Sequence, residues 1–515
     1  MRRNIRNTLV VAMLLLVGCG TNPVTGKREL QFISTPGEIK IGQKNYAPSR
    51  QVQGGDYVVD TELTLYVQRV GGRLAKVSDR DLPYEFRVLN SSVPNAWALP
   101  GGKIAINRGL LLELNSEAEL AAVLGHEIVH AAARHGAKAQ ERGMIIQGGL
   151  LATQIATQDK QNAALIAGGS MLGAQLLTTR YGRSAELESD FYGMEYMARA
   201  GYDPKAAIDL QKTFVRLSAS KQSNFLQGLF ASHPPSQKRV DANIVTAEAL
   251  AVKYNGKLEM GRESYKRAIA QIKRDKAAYD AQDKALAAAK KKDYKTANSL
   301  VDKAIKLQPR EAKFYGLKGD LALNGKNYKQ AVNYYEQAIQ RYPEYFAFYL
   351  HSGMAKKALG DRNGAKKAFT ASNKLLPTPT AHKELGELSL ASGDRATALQ
   401  HFQVAAQSKS AVGQSAAASM TRLELPENPG KYIKASPQVD NNGNVVLVVR
   451  NMSLVPVRNV KVVAAETDAN GNQVSRARNF VVRNTIPAQK YAVVKTPWAN
   501  PNVVQTKVQS ASLAK

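Results

Sequence analysis

His126-Glu127-Ile128-Val129-His130 is an H-E-x-x-H sequence. The pattern works only on a helix, where residues four apart share one face. The chain supplies the signals for one. Ser116 and Glu119 read as a capping box, Gly136 stands where a C-terminal glycine belongs, and the segment between them is rich in Ala and Leu. On such a helix His126 and His130 can bind one tetrahedral metal ion, with zinc the expected cofactor. Glu127 lies on the adjacent edge, within reach of a water that the metal makes more acidic, and is the candidate general base. His135, five residues beyond His130, faces elsewhere and falls outside the set.

Catalytic zinc takes a third protein ligand and keeps one position open. Downstream, Tyr181-Gly182-Arg183-Ser184-Ala185-Glu186-Leu187-Glu188-Ser189-Asp190 lies in a predicted helix closed by Gly201 before Asp203-Pro204. Glu186 and Asp190 are one turn apart on one face. One of these carboxylates can bind zinc while the other orients a ligating His. Glu188 is the competing candidate; it lies about 200° around the helix from Glu186, so the two cannot both face the metal.

At this point the sequence resembles the HtpX/BepA-type zinc metallopeptidases, a gluzincin group that includes the CAAX prenyl proteases. Their H-E-x-x-H is followed on a later helix by E-x-x-A-D, matched here by Glu186-Leu187-Glu188-Ser189-Asp190 with Ser for Ala. The resemblance implies a zincin-type α+β, mainly helical peptidase domain with Glu186 as third ligand and Asp190 as its helper. Asn95-Ala96-Trp97-Ala98-Leu99-Pro100-Gly101-Gly102, followed by Gly109-Leu110-Leu111, resembles the family's edge strand beside the active site. Asn95, Ala96, Trp97 and Ala98 would then bind substrate by backbone strand addition. Ser232-His233-Pro234-Pro235 with Arg239 and Val240 resembles its S-H-P…R segment. By that analogy His233 or Arg239 steadies the oxyanion of a tetrahedral intermediate, or His233 blocks the open zinc position in a resting state.

The N-terminus bears on location. Arg2, Arg3 and Arg6 precede an apolar run from Leu9 to Val17, which is too short to span a bilayer and reads as a signal peptide. Leu16-Val17-Gly18-Cys19 resembles the bacterial lipobox, which implies cleavage before Cys19 and lipid on that residue. Gly20 in the next position, in the sorting pattern this resembles, points to the outer membrane. Several acyl chains make a durable anchor. Cys19 is the one cysteine of the chain, so no internal disulfide can form. The formal charge of +29 favours anionic partners such as acidic lipids, lipopolysaccharide or acidic proteins, or a solvated basic surface. Nucleic acid is not an expected partner, because no binding motif is present and the export signal opposes it.

The 515 residues exceed one hydrophobic core, so several domains are expected. After the signal peptide (1–18), residues 19–36 are polar and read as a lipidated tether. Residues 37–260 read as the peptidase domain, with strands over Phe86–Asn90 and Trp97–Asn107 around a turn at Pro100-Gly101-Gly102. Residues 261–410 hold a repeat: Pro309, Pro343 and Pro377 are spaced by 34, as are Ala297, Ala331 and Ala365, and Ala285, Gly319 and Gly353. A fourth copy, with Gly386 and Ala398, is shifted by one. The spacing resembles the tetratricopeptide repeat and implies an α-helical solenoid with a groove for peptides or protein partners. Residues 411–430 read as a linker. Residues 431–515 carry β-branched runs between Asn-Gly turns at 442–443 and 470–471, which predicts an antiparallel β-sandwich. Residues 142–178 are apolar and Gly-rich but interrupted by polar residues; they read as amphipathic helices, either a lid over the site or part of the core.

These expectations together describe an envelope zinc endopeptidase, anchored by lipid to the outer membrane on its periplasmic side. It would act on misfolded or unassembled envelope proteins, with the repeats recruiting substrates or assembly-machinery partners. The alternative is a periplasmic chaperone or assembly scaffold for outer-membrane proteins with a latent protease site.

Overall fold

In the computed structural model the described residues are 19–144, 181–219, 228–254, 256, 258–468, 470, 472–498 and 504–514. The signal peptide, and all but the first three residues of the 142–178 segment, lie outside them. Those three, 142–144, belong to a helical stretch described over 135–144. Two compact units divide the chain, residues 1–351 and 352–515.

The first unit opens with a short antiparallel hairpin, β1 (Cys19–Thr21) against β2 (Arg28–Leu30). The segment 19–36, read as a lipidated tether, is thus ordered at its start and bonded to the rest of the unit. Asn22 is fully buried; its Nδ2 donates to Ala133 O, while its Oδ1 accepts from the Val24 amide. The amides of Phe32 and Ile33 both donate to Glu141 Oε1. The polar composition of this segment therefore serves hydrogen bonds to Ala133 and Glu141 as well as to solvent.

Helices α1 (Thr35–Val52) and α2 (Thr61–Ala75) flank a three-stranded sheet. The sheet contains three strands rather than the two expected: β3 (Glu85–Leu89), β4 (Ala96–Leu99) and β5 (Lys103–Asn107), in the order β3-β5-β4. β4 and β5 form the hairpin about residues 100–102, and β3 runs parallel to β5. Against this sheet packs α3 (Glu117–Ala132), followed by α4 (Arg183–Arg199), α5 (Lys205–Ala219) and α6 (Gln237–Lys253). The Ala- and Leu-rich sequence of α3 lets neighbours approach on all sides, and every one of its residues after Glu117 is buried.

The repeats begin without a break from this core. Tyr279 and Phe314 belong to the same apolar cluster as Leu63, Val67, Leu120 and Leu124. Glu311 Oε2 accepts hydrogen bonds from Asn90 Nδ2 (2.9 Å) and the Tyr279 hydroxyl (2.6 Å), and the Arg108 guanidinium lies 3.4 Å over the Tyr279 ring. Helix pairs follow at the 34-residue step. Its physical basis is visible at Gly319, where a Cβ would come 2.6 Å from the ring of Tyr335, sixteen residues on. In the second unit Gly353 meets Phe369 and Gly386 meets Phe402 in the same way.

Residues 411–430 are not a linker. Ala411–Glu424 is a helix capped by Ser410, and it packs on the helices of the last repeat. Its small side chains, which suggested flexibility, allow close helix packing. After it come two three-stranded antiparallel sheets, β10-β7-β6 and β11-β8-β9. Their strands are β6 (Ile433–Val439), β7 (Val445–Asn451), β8 (Val457–Glu466), β9 (Arg478–Val482), β10 (Tyr491–Lys495) and β11 (Val504–Leu513). Leu447, Val449, Val460 and Val462 lie in their shared core. The expected combination of helical peptidase domain, helical repeats and small antiparallel sheets is what the structure contains.

Candidate metal centre

The Ser116 side chain caps α3 by accepting from the Glu119 amide at 3.1 Å. Glu119 in turn accepts from the Asn115 amide at 2.9 Å. The helix ends at Ala132, earlier than Gly136 implied, because Arg134 takes a left-handed conformation with φ of 64°. A buried ion network holds that turn: Arg134 Nε donates to Glu38 Oε1 (2.6 Å), and Arg80 binds both oxygens of the same carboxylate.

α4 crosses α3 where glycine faces glycine. A Cβ on Gly193 would lie 3.0 Å from the backbone N of His126, and one on Gly125 would lie 3.0 Å from Gly193 O. This close approach brings the two motifs of the sequence together. His126, His130, Glu186 and His233 each present one ligand atom, all within 4.8 Å of one another, and all four residues are buried. His126 Nε2 lies 3.0 Å from His130 Nε2, 3.3 Å from His233 Nδ1 and 3.6 Å from Glu186 Oε2. Glu186 Oε1 lies 3.5 Å from His130 Nε2 and 3.1 Å from His233 Nδ1. A tetrahedron with metal–ligand bonds of about 2.0–2.1 Å has edges of roughly 3.3–3.4 Å. The separations bracket that value, and the imidazole and carboxylate donors suit zinc, so the residues fit the ion.

The supporting groups are equally specific. Asp190 Oδ1 accepts from His126 Nδ1 at 2.9 Å. Arg239 binds Asp190 through two hydrogen bonds, of 2.6 and 2.7 Å, and its Nη1 lies 3.0 Å from Glu186 Oε2 and donates to Pro234 O. Every guanidinium nitrogen therefore already has a partner. Arg239, expected by analogy as an oxyanion donor, here bridges the two carboxylates. His233, expected either as oxyanion donor or as plug, stands at the fourth corner of the cluster, with its Nε2 3.6 Å from Glu127 Oε1.

Glu127 Oε2 is buried with no hydrogen-bond partner. Burial pushes the Glu127 carboxyl up, against the pull of His233 and His126. Burial holds His130 well below the ordinary imidazole range, which keeps it neutral as a metal ligand must be. Burial also acts to raise Glu186 and Asp190, but the neighbouring cations outweigh it: His233 chiefly for Glu186, Arg239 for Asp190. Beside Glu127 a cavity of about 40 Å³ has apolar walls including Met194, Leu210 and Phe214, together with Gln211 and Asn243.

Ala96, Trp97 and Ala98 lie on β4, the edge of its sheet, as strand addition requires, with Asn95 just before it. The side chains are buried: Trp97 packs on Tyr46 at a ring distance of 5.8 Å, while Ala96 and Ala98 join the main core. Pro94 O, at the entrance to the strand, accepts from the Leu229 amide.

Three residues outside the expected site set stand near the cluster. Tyr181 stacks on the His130 ring at 4.0 Å and 26°. His135, set aside on helical geometry, lies with Nδ1 2.9 Å from His130 Nδ1, because the helix has already ended. Glu188, displaced from the metal as its position predicted, lies 3.1 Å from His135 Nε2.

Comparison with known proteins agrees with this site. Residues 62–244 match the family model for peptidase family M48, and residues 283–348 match a tetratricopeptide repeat model. The mitochondrial metalloendopeptidase OMA1 of Schizosaccharomyces pombe is 33% identical over 224 residues, 42% of this chain and 63% of that protein. A putative beta-barrel assembly-enhancing protease of Vibrio cholerae is 33% identical over 184 residues, 34% of this chain and 36% of its own length. The beta-barrel assembly-enhancing protease of Escherichia coli is 26% identical over 259 residues, 47% and 52% respectively. The chain thus spans less than two thirds of the length of each. Among the described residues no helix is long and apolar enough to cross a membrane. The segment that contains the four-donor cluster thus lies within residues 62–244, which match the model of peptidase family M48, and the match to a tetratricopeptide repeat model follows it.

Proposed function

We propose that the chain is a zinc-dependent endopeptidase of the bacterial envelope that acts on misfolded or unassembled envelope proteins. The observation that carries this is the set of four buried donors spaced like the corners of a zinc tetrahedron, with an unpartnered Glu127 oxygen beside it. His126, His130 and Glu186 would hold the ion. When bound, zinc supplies Lewis acidity toward water and toward the scissile carbonyl. Glu127 takes the proton of the attacking water at its carboxylate and passes it to the leaving amine nitrogen. Burial raises its proton affinity, the direction that suits a group which takes a proton and then returns it. Asp190 fixes the ring of His126, and Arg239 fixes Asp190 and Glu186. Substrate backbone pairs with β4, and the repeats recruit protein substrates or assembly partners. The lipid on Cys19 places the site at the outer membrane, on its periplasmic side.

His233 occupies the corner that a catalytic zinc site leaves open. This favours its reading as a plug in a resting enzyme over that of an oxyanion donor. The same observation supports the second reading, an assembly scaffold with a latent protease site. Glu127→Gln separates the two. The peptidase reading expects it to keep one zinc per chain, to lose casein cleavage, and to fail to complement a deletion. Undiminished cleavage refutes the mechanism, and full complementation by the inactive variant supports the scaffold. His233→Ala raises cleavage if His233 is a plug and abolishes it if His233 serves the transition state.

A further inference from the structure

We infer that His135 and Glu188 form a hydrogen-bond relay that fixes the proton on His130 Nδ1 and so presents a bare Nε2 to the metal. The inference rests on the metal centre described above and extends it to two residues that do not touch the ion.

Each metal-binding imidazole needs its other nitrogen protonated. For His126 the arrangement is direct. Asp190 Oδ1 lies 2.9 Å from Nδ1, and a carboxylate only accepts, so the proton sits on Nδ1 and Nε2 carries the lone pair. His130 has no such carboxylate. Its Nδ1 faces His135 Nδ1 at 2.9 Å. A neutral imidazole donates from one nitrogen and accepts at the other, so this pair shares a single proton and the contact alone leaves its owner open.

Glu188 decides it. Its Oε1 lies 3.1 Å from His135 Nε2, on the far side of that ring. Acting as an acceptor, it draws the His135 proton to Nε2 and leaves His135 Nδ1 bare. His135 Nδ1 must then accept, and His130 Nδ1 must donate. The chain of proton positions runs from Glu188 through His135 to His130 and ends at a bare Nε2, 3.5 Å from Glu186 Oε1. His135 is 6% exposed and His130 1%, so water does not readily substitute for either partner. Tyr181, stacked at 4.0 Å, holds the His130 ring plane while the relay holds its rotation.

The left-handed Arg134 makes this possible. On an unbroken helix His135 would be about 140° around the axis from His130. The turn at φ 64° redirects the chain, so that a residue five positions on faces back toward the metal centre.

The test is zinc affinity of the full-length chain, measured by competition with a chromophoric chelator, beside melting of the metal-free and zinc-loaded forms. His135→Leu removes the acceptor and is expected to weaken zinc about 10–100-fold. His135→Asn places a carbonyl oxygen near the former Nδ1 and is expected to restore affinity to within a few-fold of wild type. Glu188→Leu, at a partly exposed position, frees the His135 proton and is expected to cost about tenfold. Metal-free melting should match wild type in the Asn variant, so that the loss in the Leu variants reads on the zinc-induced shift. Wild-type affinity in folded His135→Leu, or in Glu188→Leu, overturns the relay. So does an Asn variant as weak as the Leu variant. A wild-type chain that binds no zinc overturns the metal centre itself, and the relay with it.

Discussion

Gly193→Ala is the sharpest test of how the metal centre is built. The new Cβ would lie 3.0 Å from His126 N, 3.1 Å from Gly125 C and 3.3 Å from His126 Cα, all backbone atoms that cannot rotate away. Unstrained contacts of this kind lie at about 3.5–4.0 Å. α3 and α4 must therefore part by roughly 0.5 Å at the crossing, or the strain remains. Overpacking of this sort costs about 1–3 kcal/mol. The displaced backbone atom belongs to His126 itself, whereas Glu186 and Asp190 travel with the other helix. Metal–ligand distances hold to about ±0.2 Å, so a shift of half an ångström is felt in full. The expected outcome is a loss of zinc affinity of at least about tenfold, equivalent to about 1.4 kcal/mol. A lower melting temperature in the metal-free form should accompany it. Gly72→Ala is the control: it lies in α2, its Cβ meets nothing within 4 Å, and helix propensity favours it by up to about 1 kcal/mol. Chelator competition and thermal melting on the three proteins suffice. Wild-type zinc affinity and melting in Gly193→Ala would show that the glycine crossing does not set the ligand geometry.

Two further outcomes concern the repeats. Burial pushes the Lys313 ammonium down to about 8, while its Nζ donates to Asn90 O at 2.7 Å. Between that value and the ordinary 10.5 the unfolded chain holds a proton that the folded chain has released, so stability rises with pH across this window. Lys313→Met should remove that rise; urea unfolding at pH 7.5 and 10 that changes in parallel for both proteins would refute it. Tyr335→Ala empties the ring slot over Gly319 and leaves Asp320 without its 2.8 Å donor, at an expected cost of about 3–5 kcal/mol. Hydrogen exchange should show that loss concentrated in the helices around residues 312–341, and unchanged protection there would count against the packing account.

What the sequence made legible follows from the range of the forces involved. The capped helix of His126 and His130 depends on local signals, and Ser116 bonds the Glu119 amide as its spacing implied. The repeats were legible because one ring-on-glycine contact recurs at a fixed step. His135 was missed because helical geometry was extended past Ala132. The stop is dictated by Arg134 meeting Glu38, 96 residues away. The role of Arg239 was expected by resemblance alone, and its contacts to Asp190 and Glu186 were not legible because those carboxylates come from a different helix. The Ala- and Ser-rich 411–424 segment was read as a linker although the same composition packs closely as a helix. The hairpin of residues 19–30 is held by Ala133, and the amides just after it by Glu141, each more than a hundred positions downstream.

That hairpin carries one more consequence. Asn22 is bonded to the carbonyl just past the end of the zinc-binding helix, and it stands only three positions from Cys19. Fully extended, three residues reach about 10 Å. On the proposed lipid anchor, the metal centre would not sweep a volume at the end of a long leash. It would travel as a near-surface device, sampling proteins that dwell in a thin layer along the membrane, and its encounters would scale with their density per area rather than with their bulk concentration.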